Sequence, residues 1–425
     1  MMKRLYLIIL WMCVTHAAVC AQECRVMTDD IRSLRVVAYD DPLLPPIVER
    51  SKRWTLSIDF DELSHEYHRY VYHIDLCNAD WSVNEEVFES DFLTGLNDQP
   101  IEDFDKSFNT TQLYTHYTLS LPNENVRLRL SGNYRVSIYD DDDRDNGPVA
   151  TAEFCLVDQK MNISAEVSGN TDIDFNDSHQ QLSMVISYGQ VHVDDPSREI
   201  HTVVMQNRRQ DMRLVDVRPS YLRNTSMEYT HNRALIFPAG NEFRKFELLD
   251  MNKPGMNIDH IRWFDPYFYV NLFEDTAIRN YVYDEDQNGV SWIRNEDNED
   301  NNTTCEYAWV NFSLKADKQP SDVYVCGNWT NGTYDDLARM TYNKETGLYE
   351  ASIYLKQGYY NYQYRMADGQ KVADERGEII ARGTTTGTDG NFYQTENEYI
   401  ILVYHRAPTS RTDNLVGYRR VNTRL

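Results

Sequence analysis

Short alternating runs dominate the chain. Trp54, Leu56, Ile58 and Phe60 fall on one side of an extended segment and Thr55, Ser57 and Asp59 on the other. That period of two is the mark of a half-buried antiparallel strand. Tyr134, Val136 and Ile138 repeat the pattern after the turn Gly132-Asn133. Leu182, Met184, Ile186 and Tyr188 repeat it again, alternating with Ser183, Val185 and Ser187. Later, Tyr349, Ala351, Ile353 and Leu355 share a face, and Tyr360, Tyr362, Tyr364 and Met366 share one on the next run. Gly358 between the two runs predicts a hairpin. Pro42, Pro45 and Pro46 predict an extended lead-in, and only brief, ambiguous pieces carry helical periodicity.

The fold class this predicts is all-β, with tandem antiparallel β-sandwich domains of immunoglobulin-like or early-set type. Some 400 residues exceed what a single core organises. The expected division is a signal peptide at 1–21, an N-terminal sandwich at 22–160, a middle β-rich domain at 161–302 and a C-terminal early-set-like sandwich at 303–406. A flexible basic tail at 407–425 follows. The acidic, Asn-rich stretch Asn295–Thr304 has no apolar side chain to bury and predicts a linker. Arg411, Arg419, Arg420 and Arg424 carry charge without periodicity, so the tail is expected to fray. The three units are expected to form an elongated rod or arc.

Lys3 and Arg4 precede the apolar run Leu5–Val14, and cleavage is expected between Ala21 and Gln22. Cys20 raises lipidation as an alternative, but Val19 stands where a lipobox has a small residue. Losing the leader's two positive charges takes the net charge from -25 to -27. A surface so acidic repels nucleic-acid phosphates and anionic lipid. An outer-membrane barrel calls for evenly repeated strands of about ten residues, and the runs here are short and uneven. Cys24, Cys77, Cys155, Cys305 and Cys326 remain after cleavage. Pairing of Cys77 with Cys155, or of Cys305 with Cys326, is open in an oxidising compartment, although burial as small apolar groups is the favoured reading.

Three chemistries compete for attention. Asp284-Glu285-Asp286-Gln287-Asn288-Gly289 opens like a calcium loop, but the twelfth position is Asn295 and Glu296 lies one step late. An ordinary acidic turn is therefore expected there, and a solvated loop at Asp140–Asp143. The segment Val323–Trp329 with the runs that follow resembles the early-set sandwich of glycogen-binding modules. Trp329 stands where that pattern puts a sugar-stacking ring, without a clear second tryptophan, so a core or turn role is expected. No nucleophile elbow, His-Glu-x-x-His or phosphate-cradling glycine loop occurs, and His65, Glu66 and His68 make no constellation. No catalytic, metal or cofactor-binding residue is assigned, and no cofactor is expected.

The stretch Phe237-Pro238-Ala239-Gly240-Asn241-Glu242-Phe243-Arg244-Lys245-Phe246 is too idiosyncratic to be compositional. It resembles the central signature of the type IX secretion system plug family. Four further stretches resemble that family in the same order: His73–Trp81, Ser107–Thr110 with Tyr114–Tyr117, Ser131–Tyr134 leading into Asp140–Asp143, and Glu396–Tyr404. The resemblance implies a non-enzymatic periplasmic plug, peripherally associated with the outer membrane. Its partner would be a large outer-membrane β-barrel translocon of the SprA type, whose periplasmic mouth it binds and closes. Nucleic acid, a membrane span of its own and a small-molecule substrate are not expected, and partner-binding residues are not assigned. The alternative reading is a periplasmic carbohydrate- or peptidoglycan-binding sandwich protein.

Overall fold

The structure, a computed structural model, describes residues 24–423 apart from 331–333, 335 and 374–378. The expected leader, its cleavage point, Cys20 and Arg424 lie outside the described residues. Strands account for nearly all regular structure, and the pairing is mostly antiparallel. They form three sandwiches, each closed over its own apolar core.

In the first unit, strands Ile31–Ala38, Leu56–Glu62, Thr115–Leu121 and Asp103–Lys106 make one sheet. Strands Ala150–Val157, Gly132–Asp140 and Tyr70–Cys77 centre the other. The predicted inward residues Leu56, Ile58, Phe60, Tyr134, Val136 and Ile138 are all buried between them. The polar face of Leu56–Glu62 is not solvated as alternation suggests, because Asp59 and Asp61 are buried too.

The second unit stacks the sheet built on Asn162–Ser168, His179–Ser187 and Ser226–Tyr229 against a four-stranded sheet. That second sheet runs Leu214–Val215, Ile200–Gln206, Glu398–His405, Asn414–Asn422. Two of its four strands therefore come from far along the chain. The residues expected to fray form a nine-residue strand paired with Glu398–His405. Leu415 and Val416 are buried there, and two apolar side chains in a basic segment are enough to hold it to a sheet.

The third unit lies within the second in sequence. Its core is shared by the sheet of Ile258–Phe264, Tyr267–Leu272, Tyr307–Lys315 and Leu348–Lys356, and by the sheet centred on Gly358–Ala373. Pairing thus crosses the boundary expected at 302/303: Arg244–Leu248 and Ser291–Ile293 both pair with Gly358–Ala373. The hairpin expected through Gly358 does not form either. Leu348–Lys356 pairs with Tyr307–Lys315, and the chain then crosses to the opposite sheet. At the crossing a Cβ on Gly358 would lie 2.4 Å from the Trp292 carbonyl oxygen, which leaves room only for glycine. Alternation marks which side chains face a core; it does not name the neighbouring strand.

The expected linker is a packed corner. Asn301–Thr304 forms one helical turn, and Asn295 Nδ2 donates to the Glu299 carbonyl and to Thr304 Oγ1, both at 2.8 Å.

Candidate functional site

The signature stretch Phe237–Phe246 forms the seam between the second and third units. Gly240 adopts φ +64, a left-handed turn suited to glycine. Beyond it Asn241 Nδ2 donates to the Asp389 carbonyl at 2.8 Å, and Gln363 Nε2 donates to the Asn241 carbonyl at 2.6 Å. Arg244 reaches Asp389 Oδ1 at 2.7 Å, Asp275 Oδ1 at 2.7 Å and the Thr276 carbonyl at 2.7 Å. Burial opposes the guanidinium charge, but the two carboxylates prevail and raise its pKa. Tyr362 and Tyr364 both donate to Asp275 Oδ2, at 2.8 and 2.7 Å. Glu242 Oε1 accepts from Tyr281 at 2.6 Å and from the Glu396 amide at 3.1 Å, while burial pushes its pKa up.

A second polar cluster joins the first unit to the third. Asp61 Oδ2 accepts from Lys356 Nζ and from Tyr307, both at 2.6 Å, and Asp61 Oδ1 lies 2.6 Å from His116 Nδ1. Burial works against the Asp61 charge, yet Lys356 and His116 outweigh it and hold its pKa at about 2. Burial also lowers the Lys356 pKa, with Asp61 pulling the other way. The ammonium sits 4.1 Å from the centre of the Tyr114 ring and donates to the Asn302 carbonyl, so its charge is compensated on several sides. Around this centre, Thr111 Oγ1 donates to Glu306 Oε2 at 2.6 Å, and the Phe108 amide donates to the Thr303 carbonyl at 2.9 Å.

The third seam, between the first and second units, is largely apolar. Trp81, Cys77, Cys155 and Val157 meet Val203, Met205, Ile400, Leu402 and Tyr404 in one buried cluster. Tyr404 donates to Asn133 Oδ1 at 2.9 Å, and the Ala79 amide donates to Asp413 Oδ2 at 2.8 Å. Each unit therefore contacts both others. The expected rod or arc is corrected to a closed triangle of contacts.

The match to known proteins bears on the first unit and on the whole chain. Residues 31–158 match the family described as type 9 secretion system plug protein, 1st domain. The crystal structure of a hypothetical protein from Parabacteroides merdae ATCC 43184 is 36% identical, with a TM-score of 0.89, over 95% of this chain and 100% of that one. The chain belongs to the type IX secretion system plug family. No curated protein matches it.

In this plug-family protein each of the five stretches that carry the resemblance reaches one of the three seams, although Asp140–Asp143 itself forms a local loop. His73–Trp81 and Ser131–Tyr134 supply Ala79, Trp81 and Asn133. Ser107–Thr110 and Tyr114–Tyr117 supply Phe108, Tyr114 and His116. Phe237–Phe246 meets Glu396–Tyr404 directly, through Glu242 and the Glu396 amide. Asp61, Tyr307 and Lys356 were missed by sequence reasoning, since an acid on the outer face of one strand and a lysine ending another look solvated until the two strands are known to abut.

The remaining candidates resolve locally. Asp284 is 2.7 Å from Lys245 Nζ, and Asp286 accepts from the Phe243 and Asn288 amides, so the two aspartates of the calcium-like loop face protein donors. Burial pushes Asp286 up to about 7. Asp140, Asp141 and Asp143 accept from the Asp142 amide, Arg144 and Asn146. Trp329 donates its indole N–H to the Asn361 carbonyl at 2.8 Å and packs on Phe312 and Tyr360. All five described cysteines are buried and none forms a disulfide. Among the described residues no helix is long and apolar enough to cross a membrane. Family membership gives the protein a role in type IX secretion.

Proposed function

We propose that this protein is a non-enzymatic periplasmic plug that docks on the inner mouth of a SprA-type outer-membrane translocon and closes it when no cargo is in transit. The observation that supports this reading is the closed set of seams. A stopper must be too wide to enter an opening and too stiff to unravel into it. Three sandwiches joined pairwise, by an apolar cluster and two buried polar clusters, meet that requirement. The reading assigns no chemistry to any side chain. It is tested by cross-linking in intact envelopes followed by affinity purification, together with a dye-leakage assay on a deletion strain. Recovery of the translocon with the protein, and a leaky outer membrane without it, are expected; a sealed membrane in the deletion strain refutes the plugging role.

A further inference from the structure

One side of the signature turn lines a cavity of about 340 Å³ between the second unit and the segment that returns to it from the third. Pro238 and Gly240 form part of its wall, so the stretch that carries the family resemblance borders an open site as well as a seam. Arg209, Arg233, Arg382 and His179 line it; no acidic side chain is among the lining residues, although Asp172, Asp174 and Asp211 stand directly behind these groups.

The charges are partly spoken for. Arg209 is held by both oxygens of Asp211, at 3.1 and 2.7 Å, and His179 Nδ1 lies 2.7 Å from Asp174. Arg233 donates to the Asp172 backbone carbonyl, at 3.3 Å, is exposed, and has its charge partly offset by the Asp172 carboxylate. The surplus is thus small and comes from Arg233 and Arg382. It suits a monoanion better than a phosphate dianion. Ile173, Met212, Ile236 and Pro238 give the other walls an apolar character. Ile173 is 54% exposed at the lip and Phe175 beside it 74%. A planar guanidinium matches a carboxylate in two parallel hydrogen bonds, and the volume is at the lower end for a small-ligand site.

We propose that this cavity binds the carboxylate of an extended polypeptide, either a chain terminus or an acidic side chain, with a neighbouring apolar residue against Ile173 and Met212. The site stands whether or not the protein plugs a channel.

Calorimetric titration with N-acetyl-Ala-Leu, its C-terminal amide, N-acetyl-Asp-Leu-amide and inorganic phosphate tests the proposal. At least one carboxylate peptide is expected to bind saturably and at least tenfold more tightly than N-acetyl-Ala-Leu-amide and phosphate; whichever of the two binds tighter identifies the source. Arg233→Ala and Arg382→Ala should each weaken that binding at least tenfold. Ile173→Glu, at a position 54% exposed on the lip, should abolish it while leaving thermal unfolding unchanged. Equal binding of the neutral amide, tighter binding of phosphate, no saturable heat from either carboxylate peptide, or undiminished binding by Ile173→Glu would overturn it.

Discussion

At the residue scale, Asp61 is where three elements converge: Lys356, Tyr307 and His116 all bind a carboxylate that is shut off from solvent. Lys356→Met leaves that charge buried without its cation, and a loss of about 3–5 kcal/mol is expected in chemical denaturation. Adding Asp61→Asn should recover roughly half of it, since the orphaned charge is then removed. The pH dependence has a definite sign. Asp61 is depressed in the fold, so its contribution of roughly 2 kcal/mol is present above the ordinary carboxylate pKa and is lost as pH falls toward 2. Asp286 acts oppositely. Its folded pKa is raised to about 7, so the native state holds a proton that the unfolded chain releases near pH 4. Stability from this group therefore declines as pH rises from 4 to 7, and Asp286→Asn should flatten that part of a stability–pH curve. An unchanged slope in the variant would remove Asp286 as its source.

At the scale of elements, faces were legible and partners were not. Leu182, Met184, Ile186 and Tyr188, and likewise Tyr360, Tyr362 and Tyr364, point into cores as their alternation predicts. Their spacing carries that information directly, because side chains two apart share a face. Which strand lies alongside depends on long-range closure. Hence Gly358 looked like a hairpin turn and is a crossing between sheets, and 414–422 looked like a tail and is a strand. The same limit explains the site: Phe237–Phe246 is recognisable as unusual, but its partners Asp275, Asp389 and Gln363 come from 31 to 145 positions away. Deleting 414–422 should therefore do more than trim an end. Hydrogen exchange is expected to rise throughout Ile200–Gln206 and Glu398–His405, while the first unit's strands stay protected; exchange confined to the cut edge would contradict the assigned pairing.

At the scale of the whole molecule, the triangle of seams has a hydrodynamic signature. A compact body of some 400 residues has a radius of gyration of about 21 Å, and X-ray scattering should return a value close to this with a single-peaked distance distribution. A markedly larger radius, with a long tail of distances, would restore the rod. Calorimetric unfolding should likewise show the units melting together, with Lys356→Met weakening the coupling between the first and third units.

The interleaving of the second and third units also dictates an order of manufacture. The strand Ile200–Gln206 is synthesised long before Glu398–His405, the neighbour that covers it. Until nearly the whole polypeptide has been made, the half-built sandwich carries a bare strand edge of the kind that recruits chaperones and invites proteases. An interrupted copy lacks the strand that covers Ile200–Gln206 and leaves that edge open.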